Sequence, residues 1–180
     1  MNISRAFSIA SSVVCLLSLT ACLVDSDTNP AEEEIGQAVS PICNDPGNDT
    51  EATATDLGDF NDCDDDGGAF DDVVRKGRID WYRYRLDDAP FCAMSPSVAV
   101  TPSTVTVCQY FDCDSGAASF TCPTGTTSAT SPGGRPGCCG TGMYDVYPNC
   151  SGTSNDEMDV FIRFSTASTE CVTYDVDFHG

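Results

Sequence analysis

Histidine, lysine and tryptophan each occur once in this 180-residue chain, as His179, Lys76 and Trp81. The single His lies one residue from the C-terminus, where chains fray. A Ser-His-Asp or Cys-His mechanism would therefore rest on a poorly held imidazole. Eight Lys and Arg stand against 28 Asp and Glu, for a formal charge of −20 at pH 7. That balance excludes nucleic acid as a partner and disfavours anionic head groups. After the N-terminal apolar stretch no segment approaches the roughly 20 apolar residues of a membrane span, and none carries a 3.6-residue period. The patterns G-x-S-x-G and H-E-x-x-H, a phosphate-binding Gly loop and a C-x2-C pair are all missing. Hydrolase chemistry and metal ligation by Cys are accordingly not expected, and the chain reads as a non-enzyme.

Cysteine, by contrast, is abundant. The chain opens with Arg5, an apolar and small-residue run over 6–19, and then Leu19-Thr20-Ala21-Cys22. This is a signal peptide with a lipobox: residues 1–21 are removed and the thiol of Cys22 is acylated. Two or three acyl chains on one residue hold stably to a bilayer. The alternative is an ordinary secretory signal cut near Ala21. The lipobox places the mature protein on a bacterial cell envelope, at the outer membrane, with the lipid bilayer as its first partner. Residues 22–42 are polar, acidic and poor in large apolar groups, which makes them a disordered tether. Residues 43–180 form the one domain.

Ten Cys remain in that domain: Cys43, Cys63, Cys92, Cys108, Cys113, Cys122, Cys138, Cys139, Cys150 and Cys171. An even count in an exported chain implies a disulfide framework. Spacing does not assign the pairs, although vicinal Cys138 and Cys139 more often bridge to two different partners than to each other.

Period-two patterning dominates from Cys43 onward. Tyr82, Tyr84 and Leu86 share one face of a strand whose other face carries Trp81, Arg83 and Arg85. Val105, Val107, Gln109 and Phe111 alternate with Thr106, Cys108 and Tyr110. Met158, Val160, Ile162 and Phe164 oppose Asp159, Phe161 and Arg163, and Val172, Tyr174, Val176 and Phe178 oppose Thr173, Asp175 and Asp177. Antiparallel strands with one apolar face each need a second sheet to cover them, which predicts a disulfide-rich, all-β sandwich. The Gly- and Pro-rich segment 122–140 predicts a long ordered loop. Trp81 either packs within its sheet or stacks on a sugar ring.

The run Asp62-Cys63-Asp64-Asp65-Asp66-Gly67 places alternate carboxylates before a Gly, a spacing that lets them converge on one hard cation. Val73 stands where an EF-hand has its bidentate Glu, with Asp71 and Asp72 as substitutes. The two readings are a calcium loop formed by Asp62, Asp64, Asp66, Asp71 and Asp72, and a solvated acidic hairpin pinned by Cys63. Asp45, Asn48 and Asp49 offer a second oxygen cluster.

Three further stretches occur in order: Asn44-Asp45-Pro46-Gly47-Asn48-Asp49-Thr50, Ala54-Thr55-Asp56-Leu57-Gly58, and Ile79-Asp80-Trp81-Tyr82-Arg83-Tyr84. With the later Val160–Phe164 and Cys171–Val176 strands, they resemble the bacterial pre-peptidase C-terminal domain over most of residues 43–180. The resemblance implies a jelly-roll-like β-sandwich that accompanies secreted hydrolases and in some members binds calcium or a polymeric substrate. Here Cys22 and the tether stand where that family carries a catalytic domain. The expected function is a membrane-anchored, non-catalytic binding or structural module whose ligand is a protein, glycan or matrix polymer. The alternative is a calcium-dependent accessory subunit of a secreted hydrolase.

Overall fold

Alternating apolar residues build two facing sheets. The computed structural model describes residues 43, 47–61, 66–89, 92–152 and 156–180, and within them the regular structure is β-strand with a single 3-10 turn at Glu51–Thr53. Among the described residues no helix is long and apolar enough to cross a membrane. The strands are β1 (Thr55–Asn61), β2 (Gly67–Val74), β3 (Asp80–Asp87), β4 (Ser97–Thr101), β5 (Val105–Cys113), β6 (Ala118–Ser119), β7 (Thr127–Thr130), β8 (Pro136–Gly140), β9 (Met143–Asp145), β10 (Asn149–Cys150), β11 (Met158–Thr166) and β12 (Val172–His179). One sheet has the order β1-β3-β11-β5-β8-β7, the other β2-β12-β4-β9, and β6 pairs with β10 as a short ribbon.

The core lies between the two larger sheets. Tyr84, Leu86, Val107, Phe111, Val160, Ile162 and Phe164 from the six-stranded sheet meet Val74, Val98, Val100, Tyr174, Val176 and Phe178 from the four-stranded one. Rings cross the gap: Phe164 and Tyr174 lie 4.7 Å apart at their centroids, and Tyr84 and Phe178 5.0 Å. Each fully buried side chain of this size contributes about 1.5–3 kcal/mol by leaving water. The expected alternation therefore holds in β3, β5, β11 and β12, and the chain is a disulfide-rich all-β sandwich. The small ribbon closes one end, where Phe120 packs edge-on against Phe111 at 4.9 Å.

Three local expectations are corrected. The first is strand direction: β1 runs parallel to β3, so the larger sheet is mixed rather than wholly antiparallel. Strand β1 begins at Thr55, directly after the 3-10 turn, and its register slips between Asp56 and Asp59. Gly58 sits there at φ +106°, a conformation suited to Gly, and its N–H donates to Asp56 Oδ1 at 3.0 Å.

Second, segment 122–140 is not a loop throughout. Its β7 and β8 form a hairpin that extends the larger sheet. Small Thr, Ser, Ala and Gly side chains hide the alternation, and disulfides replace the apolar burial that would normally hold such a hairpin down. Third, the strands flanking the acidic run do not pair with each other: β1 lies in one sheet and β2 in the other.

Four disulfides are resolved as pairs: Cys43–Cys171, Cys108–Cys139, Cys113–Cys150 and Cys122–Cys138. Cys92 is also disulfide-bonded, and Cys63 lies outside the described residues. The vicinal pair bridges to two different partners. Successive strand residues point to opposite faces, so Cys138 joins the core and Cys139 the outer face.

Candidate binding site on the outer sheet face

The outer face of the six-stranded sheet carries a second apolar layer. Trp81, Cys108, Tyr110 and Phe161 are all buried there, with Ala54, Ile79, Ala129 and Cys139 packed around them. Trp81 is 2% exposed and stacks on Tyr110 at 5.6 Å, so it is a packing residue and not an open sugar platform. The chain entering from Gly47 lies along this layer. Asn48 clamps it, accepting from the Trp81 N–H at 2.9 Å through its main-chain oxygen and donating Nδ2 to the Trp81 carbonyl at 3.0 Å.

Beyond that clamp, the 3-10 turn delivers Glu51 to the turn between β7 and β8. Ser131 Oγ donates to Glu51 Oε1 at 2.7 Å, the Gly133 N–H to Oε2 at 2.6 Å, and Arg135 Nη1 to Oε1 at 2.7 Å. A Cβ at Gly133 would stand 2.8 Å from Glu51 Oε2, so a larger residue there would displace the carboxylate. Arg135 also donates Nε to Asp112 at 2.8 Å, and its guanidinium lies 4.2 Å above the Phe161 ring. Burial pushes the Glu51 carboxyl up, but the bonds from Ser131, Arg135 and Gly133 together outweigh it and hold the group below its usual range.

These residues frame a cleft of about 540 Å³. Its apolar surface comes from Phe161, Ala54 and Pro132, and its polar surface from Glu51, Arg83 and Arg135. Arg83 is the accessible cation: its side chain is 44% exposed and pairs with Asp56 through Nη2 at 2.8 Å. Its neighbour Arg85 is fully engaged, gripping Asp114 at 2.6 and 2.5 Å with Asp87 and Glu157 also in reach. The cleft thus combines an aromatic floor with guanidinium donors on a rigid sheet.

Glu51 and Arg135 were not legible as a site in the sequence. Glu51 is one acid among 28, and its partners lie 80 to 84 residues away. The available signal was Arg135 itself, a lone cation in a Gly- and Pro-rich segment.

Of the sequence-derived sites, the lipidation residue Cys22 and the metal-ligand candidates Asp45, Asp62 and Asp64 lie outside the described residues. Asp66 is exposed, and its carbonyl accepts from the Gly180 N–H at 2.9 Å. Asp71 and Asp72 are consecutive in β2 and project from opposite faces. Asp71 is exposed, whereas Asp72 accepts a hydrogen bond from the Tyr82 hydroxyl. In the second oxygen cluster Asn48 is committed to Trp81, and Asp49 pairs with Arg78 at 3.1 Å. Among the described residues no group of three or more His, Cys, Asp or Glu is arranged to hold a metal. No protein-family model, curated protein or solved structure matches the chain.

Glu51→Gln tests the cleft wall. The amide loses the charge that Arg135 and Gly133 address, and the expected loss is about 2 kcal/mol at pH 7. This is less than the 3–5 kcal/mol for breaking a fully buried pair, because Arg135 remains 26% exposed. Since folding depresses the Glu51 pKa, its contribution is present above the unfolded value near 4.5 and lost as pH falls through the folded one. Urea titrations of both proteins from pH 7 to pH 3 should therefore converge at the acid end. A constant gap would assign the loss to packing instead.

Proposed function

We propose that this chain is a lipid-anchored, extracytoplasmic binding module without catalytic activity, built on a sandwich like that of the pre-peptidase C-terminal domain. The carrying observation is the cleft beside Phe161. Its carboxylate is locked by Ser131, Gly133 and Arg135, so it works as a buttress, while Arg83 and the apolar floor are presented on a braced sheet. Such a surface suits recognition of a protein, glycan or matrix polymer. The lipobox at Cys22 and the disulfide framework support an oxidising, membrane-proximal setting.

The test is retention of the purified protein on whole cells and on immobilised polymers, alongside peptide, ester and glycoside hydrolysis panels. Binding that Arg83→Gln weakens at least tenfold, with the variant shown to be folded by circular dichroism, is the expected result. Turnover abolished by a single carboxylate substitution would replace the binding reading with an enzymatic one.

The calcium-dependent accessory-subunit reading draws on the acidic run at 62–72, where a divalent ion would relieve repulsion between carboxylates. With a dissociation constant of about 0.1 mM, 1 mM calcium stabilises by roughly 1.4 kcal/mol, or a few degrees in melting temperature. Melts in calcium, magnesium and chelator at matched ionic strength read this out, with Asp62→Asn/Asp64→Asn/Asp66→Asn as the control. Equal melting points in calcium and chelator would eliminate the run as a calcium site, and co-purification with one hydrolase would favour the accessory role.

A further inference from the structure

Residues 115–144 contain no Asp or Glu, although the chain has 28. The fold gathers that stretch at one side of the molecule: it comprises β6, the hairpin β7–β8 and most of β9, and β7 is an outer edge of the six-stranded sheet, with β8 as its only neighbour among the described residues. Edge strands in monomers are commonly guarded by charge, Pro or a bulge. The opposite edge, β1, has Asp56, Asp59 and a register slip, and β2 has Asp71 and Asp72. Thr127-Ser128-Ala129-Thr130 has none of these, and Thr127, Ser128 and Thr130 are exposed.

The free hydrogen-bonding groups of β7 follow from its ladder. Ser131 donates its N–H to the Arg135 carbonyl at 2.8 Å, closing the hairpin, and Ala129 lies opposite Gly137 in the same register. Antiparallel pairs alternate between bonded and non-bonded, so Ser128 and Thr130 turn their N–H and C=O groups away from β8. Pro136, which has no N–H, stands opposite Thr130, as a non-bonded position allows. Disulfides Cys122–Cys138 and Cys108–Cys139 brace β8 from both faces. A groove of about 410 Å³ with a mixed polar and apolar lining, including Ala118, Phe120, Ser128 and Thr130, lies beside the edge.

We propose that β7 is the pairing edge for a second copy of this chain, the two β7 strands running antiparallel about a twofold axis at Ala129. Ser128 of each copy then faces Thr130 of the other and exchanges both N–H···O=C bonds with it. Charge selects this occupant. A basic partner would gain nothing from an edge that has no acid of its own, whereas a partner that itself carries −20 meets least repulsion there, since Glu51 and Asp112 beside the turn are both paired with Arg135. A twofold axis makes one neutral edge sufficient for both copies.

The contact is small, so association is concentration-dependent, with a dissociation constant of roughly 10–1000 µM. The experiment uses the full chain carrying Cys22→Ser, so that no acyl group adds its own association. Sedimentation equilibrium is read across that concentration range, with amide exchange followed in parallel. A rise toward twice the monomer mass is expected, with the Ser128 and Thr130 amides slowing as concentration rises. Thr127 and Ala129, already bonded to β8, should stay slow throughout.

Thr130→Asp should weaken dimerisation at least tenfold, Thr130→Asn should leave it near the original, and Thr173→Asp, which adds the same charge on the other sheet, should have little effect. Circular dichroism verifies that each variant is folded. Monomer mass at every concentration overturns the proposal, as does a dimer whose Ser128 and Thr130 exchange is concentration-independent. Equal weakening by both Asp variants assigns the effect to net charge and overturns it as well.

Discussion

Replacing Cys43 and Cys171 together by Ser is expected to lower the unfolding free energy by about 5 kcal/mol, a large part of the total stability of an ordinary domain. The bridge spans 128 residues, against 31, 37 and 16 for the other resolved pairs. Loop-closure entropy grows with the logarithm of that span, so the shortest loop should be worth about 3 kcal/mol. Cys43 also pins the segment that brings Asn48 to Trp81 and Glu51 to Arg135. Removing it loosens a wall of the cleft as well as the unfolded-state constraint. Denaturant melts of the four double-Ser variants provide the ranking. A larger loss for Cys122→Ser/Cys138→Ser than for Cys43→Ser/Cys171→Ser would show that native packing at the hairpin outweighs chain entropy.

The second large effect concerns location. On the proposed lipoprotein reading, Cys22→Ser should move nearly all of the protein from the membrane fraction to the soluble fraction, because Cys22 is the acylation point that reading assigns. Covalent lipid adds about 0.8 kcal/mol per buried methylene, and two chains make dissociation negligible. Fractionation of cells expressing each form, with mass spectrometry of the N-terminal peptide, checks both the release and the acylation. Retention of the Ser variant in membranes after signal removal would show that something other than lipid holds the chain there.

The strands that the sequence made visible are those with large apolar side chains at every second position, since burial against a facing sheet requires that pattern. Tyr82-Tyr84-Leu86 and Val160-Ile162-Phe164 are examples, and both sit in the core. The hairpin of β7 and β8 escaped because its side chains are too small to show a period and its attachment is covalent. The parallel pairing of β1 with β3 escaped because direction is set by where the chain crosses between sheets, which local pattern does not encode. Trp81 beside Tyr82 and Tyr84 was readable as a packed residue. The bond set around Glu51 was not, because a buttressed carboxylate and a solvated one are the same letter until the distant turn is in place.

Cys43–Cys171 also has a mechanical consequence. Tension applied between residue 43 and the C-terminus passes through the sulfur bridge to the start of β12, so the 128-residue span between the two Cys carries none of the load. At about 3.4 Å per residue, roughly 430 Å of contour length is withheld from extension. The only stretch that can yield is β12, which would have to shear against β2 and β4 together along most of its length. A domain tethered at one end and pulled through its C-terminal strand would behave as a nearly inextensible link, giving way only in the last strand.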